Sequence, residues 1–383
     1  MNRKLNLLYT CFLLLTLMLF HRCERDEFSW GTKIGNITYS GNVIFIGSEE
    51  QQAINELTAS RIVISANSHI IEKITDKSIL VMGASDMLPY GSLRKVVSMQ
   101  ANGSEMILNT TNASLNEAIK EGTVNLHRKL SEKDFRLKTK TDGVLVDGPS
   151  KSFDGLAVTL DNLEIFNSGN TVAELSGAIG VSPEIGIAIN IVSNRIKDIN
   201  FNLTLSKIDE VTVTSNGAFS GNNEITGAEF IHSPIVIDSL VFVPEVAVKC
   251  GFEGSVSGVI SSGVRQDRDI TSSIFFHNSA WSQNPLDHTE TYDFIKPQLG
   301  GTSSIQIFAG PEITIRLFGI AIETLKLEGF YSLETAAAGP SAWKLFIGSD
   351  GFNTAKAEMF GLKADFTAKV ATETKEIANS DQK

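Results

Sequence analysis

Three cysteines, three tryptophans and five tyrosines in 383 residues leave little room for several common designs. The cysteines are Cys11, Cys23 and Cys250, with no C-x-x-C or other zinc spacing, so neither a zinc module nor a disulfide framework is expected. Cys11 lies in an apolar leader. Cys250 falls in a strand-like run, where a buried free thiol is the plain reading. Positive charge is also short: 33 Lys and Arg against 44 Asp and Glu give a formal net charge of −11. A field of that sign repels polyphosphate, so nucleic acid is not an expected partner. The densest basic stretch, residues 120–140, interleaves its charges with Glu121, Glu132 and Asp134 and reads as a solvated surface. Absent too are a G-x-S-x-G elbow, a Walker loop, G-x-G-x-x-G and H-E-x-x-H. No catalytic residue, metal site or cofactor is indicated, and the expectation is a protein that is not an enzyme.

The clearest positive signal is at the amino terminus, residues 1–27. Arg3 and Lys4 precede a Leu-rich apolar run from Leu5 to Phe20, and polar sequence follows at once. That is the plan of a secretory leader, and the run is short for a spanning helix, which needs about 20 residues. Cys23 stands just past the run, followed by Glu24-Arg25-Asp26-Glu27. This arrangement resembles the lipoproteins of the Bacteroidota, in which an acidic cluster after an acylated cysteine accompanies export to the cell surface. The resemblance implies lipidation of Cys23 and an outer-membrane or cell-surface location. His21 and Arg22 depart from it, because that pattern has small side chains before the cysteine. The alternative is an uncleaved signal anchor, which also holds the chain on a membrane.

Residues 28–148 read as a small β-rich module. Val43–Ile46, Arg61–Ser65 and Ser78–Met82 are short β-branched or apolar runs, with a polar helical stretch expected from Glu49 to Leu57. Leu93 begins a strand, Asn102-Gly103 is a hairpin turn, and Glu105–Thr110 is the return strand. Ser114 with Glu117 forms a capping box for a short helix that Gly122 is expected to close. The stretch Leu88-Pro89-Tyr90-Gly91-Ser92-Leu93-Arg94-Lys95-Val96 with the following hairpin and helix resembles a module of bacterial exported proteins without assigned chemistry. Alternation places Arg94 and Lys95 on opposite faces, so a structural role outweighs a ligand site there.

Residues 149–370 form a succession of alternating segments, and 371–383 a polar tail. Leu156, Val158 and Leu160 share a face, as do Ile185, Ile187, Ile189 and Ile191. Ile199, Phe201, Leu203 and Leu205 alternate with Asn200, Asn202, Thr204 and Ser206. Period-two alternation means antiparallel sheet with one buried and one wet face. The fold class is therefore mainly β: a large antiparallel β-sandwich-like domain preceded by the small β-rich module with its short helix. A transmembrane barrel also alternates, but several strands are too irregular for it.

The segments Gly310–Gly319, Leu327-Glu328-Gly329-Phe330, Trp343–Gly348 and Asn278–Ser282 resemble elements of uncharacterised bacterial exported β-rich proteins, which implies location and fold but no chemistry. The richest polar and aromatic segment runs from Phe276 to Tyr292, as a loop or edge hairpin. Its candidate ligand-binding residues are His277, Trp281, Asp287, His288 and Tyr292, since loops on rigid sheets are where binding resides. Asp238-Ser239-Leu240 resembles the O-glycosylation acceptor of Bacteroidota, with Ser239 as the modified residue. Three functions compete: a non-catalytic surface lipoprotein that binds or adheres to a carbohydrate or protein, an apolar-ligand carrier with an internal cavity, and a polysaccharide-active hydrolase with paired carboxylates.

Overall fold

The computed structural model describes residues 32–146, 155–335 and 341–381; the leader and Cys23 lie outside them. The alternation written into the chain becomes strands of unusual length. Thr171–Val192 has 22 residues and Arg195–Ser215 has 21, so each runs for roughly 70 Å at the usual rise. They pair over their whole length, from Ala173 opposite Ser215 to Val192 opposite Arg195.

Among the described residues there are three sheets, of ten, nine and six strands. The ten-stranded and nine-stranded sheets are separate, and the inner faces of their long strands meet in one core. This is the mainly antiparallel, sandwich-like fold that the alternation predicts. Phe201, Phe242, Phe252 and Phe360 are fully buried among Ile, Leu and Val. Each such side chain contributes about 1.5–3 kcal/mol on burial, before chain entropy is set against it. The space between the sheets is thus filled by side chains.

The boundary drawn at residue 148 does not separate two sheets. Ile119–Lys129 pairs with one half of Thr171–Val192, and Leu156–Ser168 pairs with the other half. Only the six-stranded sheet stands apart, within residues 43–112, and even that sheet shares a face. Ile79–Met82 is buried on both sides: Ile79 and Val81 join the main core, while Leu80 and Met82 line a smaller one. Its pairing with Val43–Ile46 is parallel.

The Leu88–Val96 motif fastens this sheet to the sandwich. The Tyr90 phenol donates to Glu245 Oε1 at 2.5 Å, and Arg316 Nε donates to Glu245 Oε2 at 2.8 Å. Arg94 is buried, donating to Thr110 Oγ1 at 3.1 Å and to Asn112 Oδ1 and the Ala59 carbonyl. Lys95 pairs with Glu117 at 2.7 Å. Both basic residues do structural work.

Several local expectations change under tertiary pairing. The helix expected from Glu49 to Leu57 is one turn, Ser48–Gln51, followed by the strand Ile54–Leu57, which pairs with Arg61–Ser65. The capping box of Ser114 and Glu117 is present, but its helix ends at Ala118. From Ile119 the chain extends, because Ile119, Val124 and Leu126 are buried as a strand. The polar tail also contributes a strand, Lys375–Asn379, whose Ile377 and Ala378 are buried at the edge of the nine-stranded sheet.

Candidate functional site

The chain enters the sandwich at one end, and three of its crossings between the two large sheets lie at the other. The Ile37–Tyr39 strand lies beside Gly122, which in turn pairs with Ile191 near the hairpin at Ser193-Asn194. At the opposite end, residues 216–218, 257–259 and 300–302 each carry the chain from one sheet to the other. Each crossover spans about 10 Å with three residues, so the backbones crowd together. A Cβ on Gly258 would meet the Gly300 carbonyl oxygen at 2.9 Å, and one on Gly301 would meet Gly258 N at 2.9 Å. Glycine is required there by close approach.

Beside the crossovers lies an open cavity of about 420 Å³ lined by Phe219, Ser220, Ser255, Ser257, Ser304 and Thr335, with Ala218, Val256, Thr302 and Ser303 completing the wall. Its frame is hydrogen-bonded. The Thr302 amide donates to Ser257 Oγ at 2.7 Å, and the Ser303 amide donates to Thr335 Oγ1 at 2.9 Å. Ser220, Ser255 and Ser304 are direct cross-strand partners, so their hydroxyls form a row at roughly 4.8 Å intervals across three strands. Among the described residues, no ionisable side chain lines this cavity. Hydroxyls both donate and accept without titrating near neutrality, which suits recognition of a neutral polar ligand and supplies no acid or base.

The five candidates near Phe276–Tyr292 occupy an edge hairpin and an edge strand, and the structure does not bring them together. His277 lies at the hairpin end, with Nδ1 2.5 Å from Asp198 Oδ1. Hydrogen bonds from His277 and then Asn190 hold the Asp198 carboxyl below its ordinary range. Trp281 faces inward opposite Phe276 and stacks on Phe366 at 6.0 Å, closing the sandwich margin. Asp287 and His288 pair with Thr271 and Ile270, and Tyr292 with Gln266. His277 and Ile270 are seven residues apart on one strand, roughly 23 Å. Extended geometry separates what sequence proximity groups, and among the described residues no three His, Cys, Asp or Glu side chains converge. Ser239 sits half-buried in the hairpin turn with Asp238, whose carboxylate accepts the Asn36 amide at 3.1 Å. Cys250 is buried, and burial pushes its thiol up to about 12.

Sequence reasoning missed a charged cluster between the two large sheets. Lys207 and Asp209 occupy the inward phase of Arg195–Ser215, with Lys207 Nζ 2.5 Å from Asp209 Oδ2. Arg268 lies directly opposite Lys207. It donates to the Gly348 carbonyl at 2.8 Å and to Ser349 Oγ, and its Nε is 3.3 Å from Glu290 Oε2, an ion pair poorly angled for a hydrogen bond. Burial pushes the Lys207 ammonium below its ordinary value, against the pull of Asp209. The signal was readable: charged residues on the apolar phase of an otherwise Ile/Leu/Val strand. Two positive and two negative groups balance, and Arg268 joins both sheets, so the cluster serves as a fastening.

No known protein family, curated protein or solved structure matches this chain. The class it belongs to is defined by its fold alone: a long two-sheet β-sandwich with an uncharged, hydroxyl-lined cavity at the end remote from its N-terminal strands.

Proposed function

We propose that this chain is an exported, membrane-tethered, non-catalytic binding protein that meets an extracellular ligand at the far end of its sandwich. The observation that carries the reading is the separation of entry and cavity. Strands of roughly 70 Å lie between the N-terminal strands and the crossover cavity, so a lipid or signal anchor before residue 28 would hold the cavity outward. The neutral lining favours binding over chemistry, because hydrolysis of a glycoside needs two carboxyl groups across the bond. The filled space between the sheets favours it over a carrier enclosing an apolar ligand.

Intact mass of the membrane-extracted protein tests the tether, with Cys23→Ala as control. A chain beginning at an acylated Cys23, lost in the control, is expected. An unprocessed mass would replace the lipid by the signal anchor, and a soluble unmodified chain would contradict any tether. The binding claim is tested by capture of the purified protein on arrayed extracellular glycans and matrix proteins. Capture weakened by Ser255→Arg supports the reading, and absence of capture on both classes overturns it.

A further inference from the structure

The outer face of the nine-stranded sheet continues from the cavity into a platform of a different kind. Gly251, Phe308, Phe330 and Gly348 are successive cross-strand partners, one on each of four adjacent strands. The two rings lean away from each other onto the glycines that flank them. A Cβ on Gly251 would meet Phe308 Cζ at 2.7 Å, and a Cβ on Gly348 would meet Phe330 Cε1 at 2.9 Å. Both phenylalanines therefore reach over the neighbouring glycines, half-buried in outward-facing positions. Phe346, opposite Ser332, adds a third ring diagonal to Phe330.

Between this row and the cavity lies a row of hydrogen-bonding side chains: Asn222, Glu253, Gln306 and Ser332, again successive partners. The next row is Ser220, Ser255 and Ser304 at the cavity wall. Rows on one face are two residues apart, so rings and serines are separated by roughly 13 Å. On the other side, the charges are paired among themselves. Lys249 contacts Glu224 at 3.1 Å and Glu312 at 3.0 Å, and Lys326 contacts Glu224 at 2.7 Å and Glu328 at 3.1 Å. Burial works to raise the Glu224 carboxyl, but the two lysines outweigh it and keep it below its ordinary value.

We infer that this face, from the Phe308–Phe330 pair to the serine row, binds an extended, uncharged polysaccharide. The inference rests on the reading of the chain as a binding protein and names its ligand class. Aromatic rings offer π faces to the C–H faces of pyranose rings, and the rows of hydroxyl, amide and carboxylate groups, Glu253 among them, offer donors and acceptors to the equatorial hydroxyls. A net charge of −11 disfavours polyanionic glycans, and the self-paired lysines leave no cationic row to receive them. The platform is continuous with the cavity along the strands that carry both.

The test is native affinity electrophoresis of the full chain in gels containing soluble β-glucan, mannan, arabinoxylan or dextran, with alginate as the polyanionic control. At least one neutral polymer is expected to retard the protein, and alginate is not. The Phe308→Ala/Phe330→Ala double variant is expected to weaken retardation about tenfold or more. Gln306→Arg, at an outward position that does not disturb the core, is expected to weaken it as well should the double variant fail to fold. Asn202→Ala, on the outer face of the other sheet, is expected to leave it unchanged. No retardation by any neutral polymer, equal retardation by alginate, or retardation indifferent to the Phe and Gln306 variants would overturn the inference. Capture on arrayed proteins in those cases would leave the binding-protein reading standing.

Discussion

The two long sheets bury similar residues and show water different ones. On the ten-stranded sheet, outward side chains satisfy one another in short pairs. Ser273 Oγ donates to Asn202 Oδ1 at 3.1 Å, the Thr204 and Thr271 hydroxyls are 3.1 Å apart, and Ser206 Oγ donates to Asp269 Oδ1 at 2.5 Å. The ten-stranded sheet's exposed rings, Tyr292 and Phe294, lie on its edge strand, whereas the nine-stranded sheet turns Phe308, Phe330, Phe346 and Phe352 outward on adjacent inner strands, with Phe352 46% exposed. Solubility alone explains the first face, since paired hydroxyls and amides keep a long strand wet without charge. It does not explain the second, where outward rings cost hydration and glycines make room for them.

For the two faces to act separately, the interior must hold the sheets in fixed register. The largest effect is therefore expected from Arg268→Ala, which leaves Lys207 to balance both buried Asp209 and half-buried Glu290, and the Gly348 carbonyl without its donor. Breaking a buried ion pair in this way costs about 3–5 kcal/mol. Urea unfolding monitored by circular dichroism should show the midpoint falling accordingly; an unchanged midpoint would mean the cluster fastens nothing.

A second interior site gives the sandwich a pH dependence. Glu323 is buried beside Asn353, whose Nδ2 donates to Glu323 Oε1 at 3.1 Å and to Ser272 Oγ at 3.1 Å. Burial pushes its carboxyl up to about 7 from an ordinary 4.5, with the Asn353 hydrogen bond pulling the other way. The folded state thus holds a proton that the unfolded chain releases between those values. Stability is full below about 4.5 and declines as pH rises through 7, by roughly 3 kcal/mol. Glu323→Gln should remove most of that slope and raise stability at pH 8. A slope that survives the substitution would assign it to other groups.

A smaller effect is expected where the comparison itself is built. Gly348→Ala places a methyl against the Phe330 ring, forcing it upright at a cost of about 1–3 kcal/mol. Thermal unfolding should register that cost, and glycan retardation should fall further than stability does. Retardation kept in full would detach the flat ring from binding.

The alternation of Ile185–Ile191 and Ile199–Leu205 made the sheet class legible, because one face is buried throughout and period two leaves no other solution. The Ser114–Glu117 box and the Asn102-Gly103 turn were legible for the same reason: their chemistry is local. Residues 119–129 were not, since a strand there depends on a partner more than 50 positions away. Neither was the cavity, whose walls come from three crossovers that only the sheet order brings together. His277, Asp287 and Tyr292 drew attention by closeness in sequence, which an extended chain turns into distance.

The most direct test places the same block on each face. Ser332, whose hydroxyl lies 3.4 Å from Gln306 Oε1, and Ser273, bonded to Asn202, occupy matching outward positions on the two sheets. Ser332→Lys and Ser273→Lys should unfold alike in urea. Retardation by neutral polysaccharide should be lost in Ser332→Lys and kept in Ser273→Lys. Loss in Ser273→Lys with retention in Ser332→Lys, or equal behaviour of the two, would contradict the assignment of binding to the nine-stranded sheet.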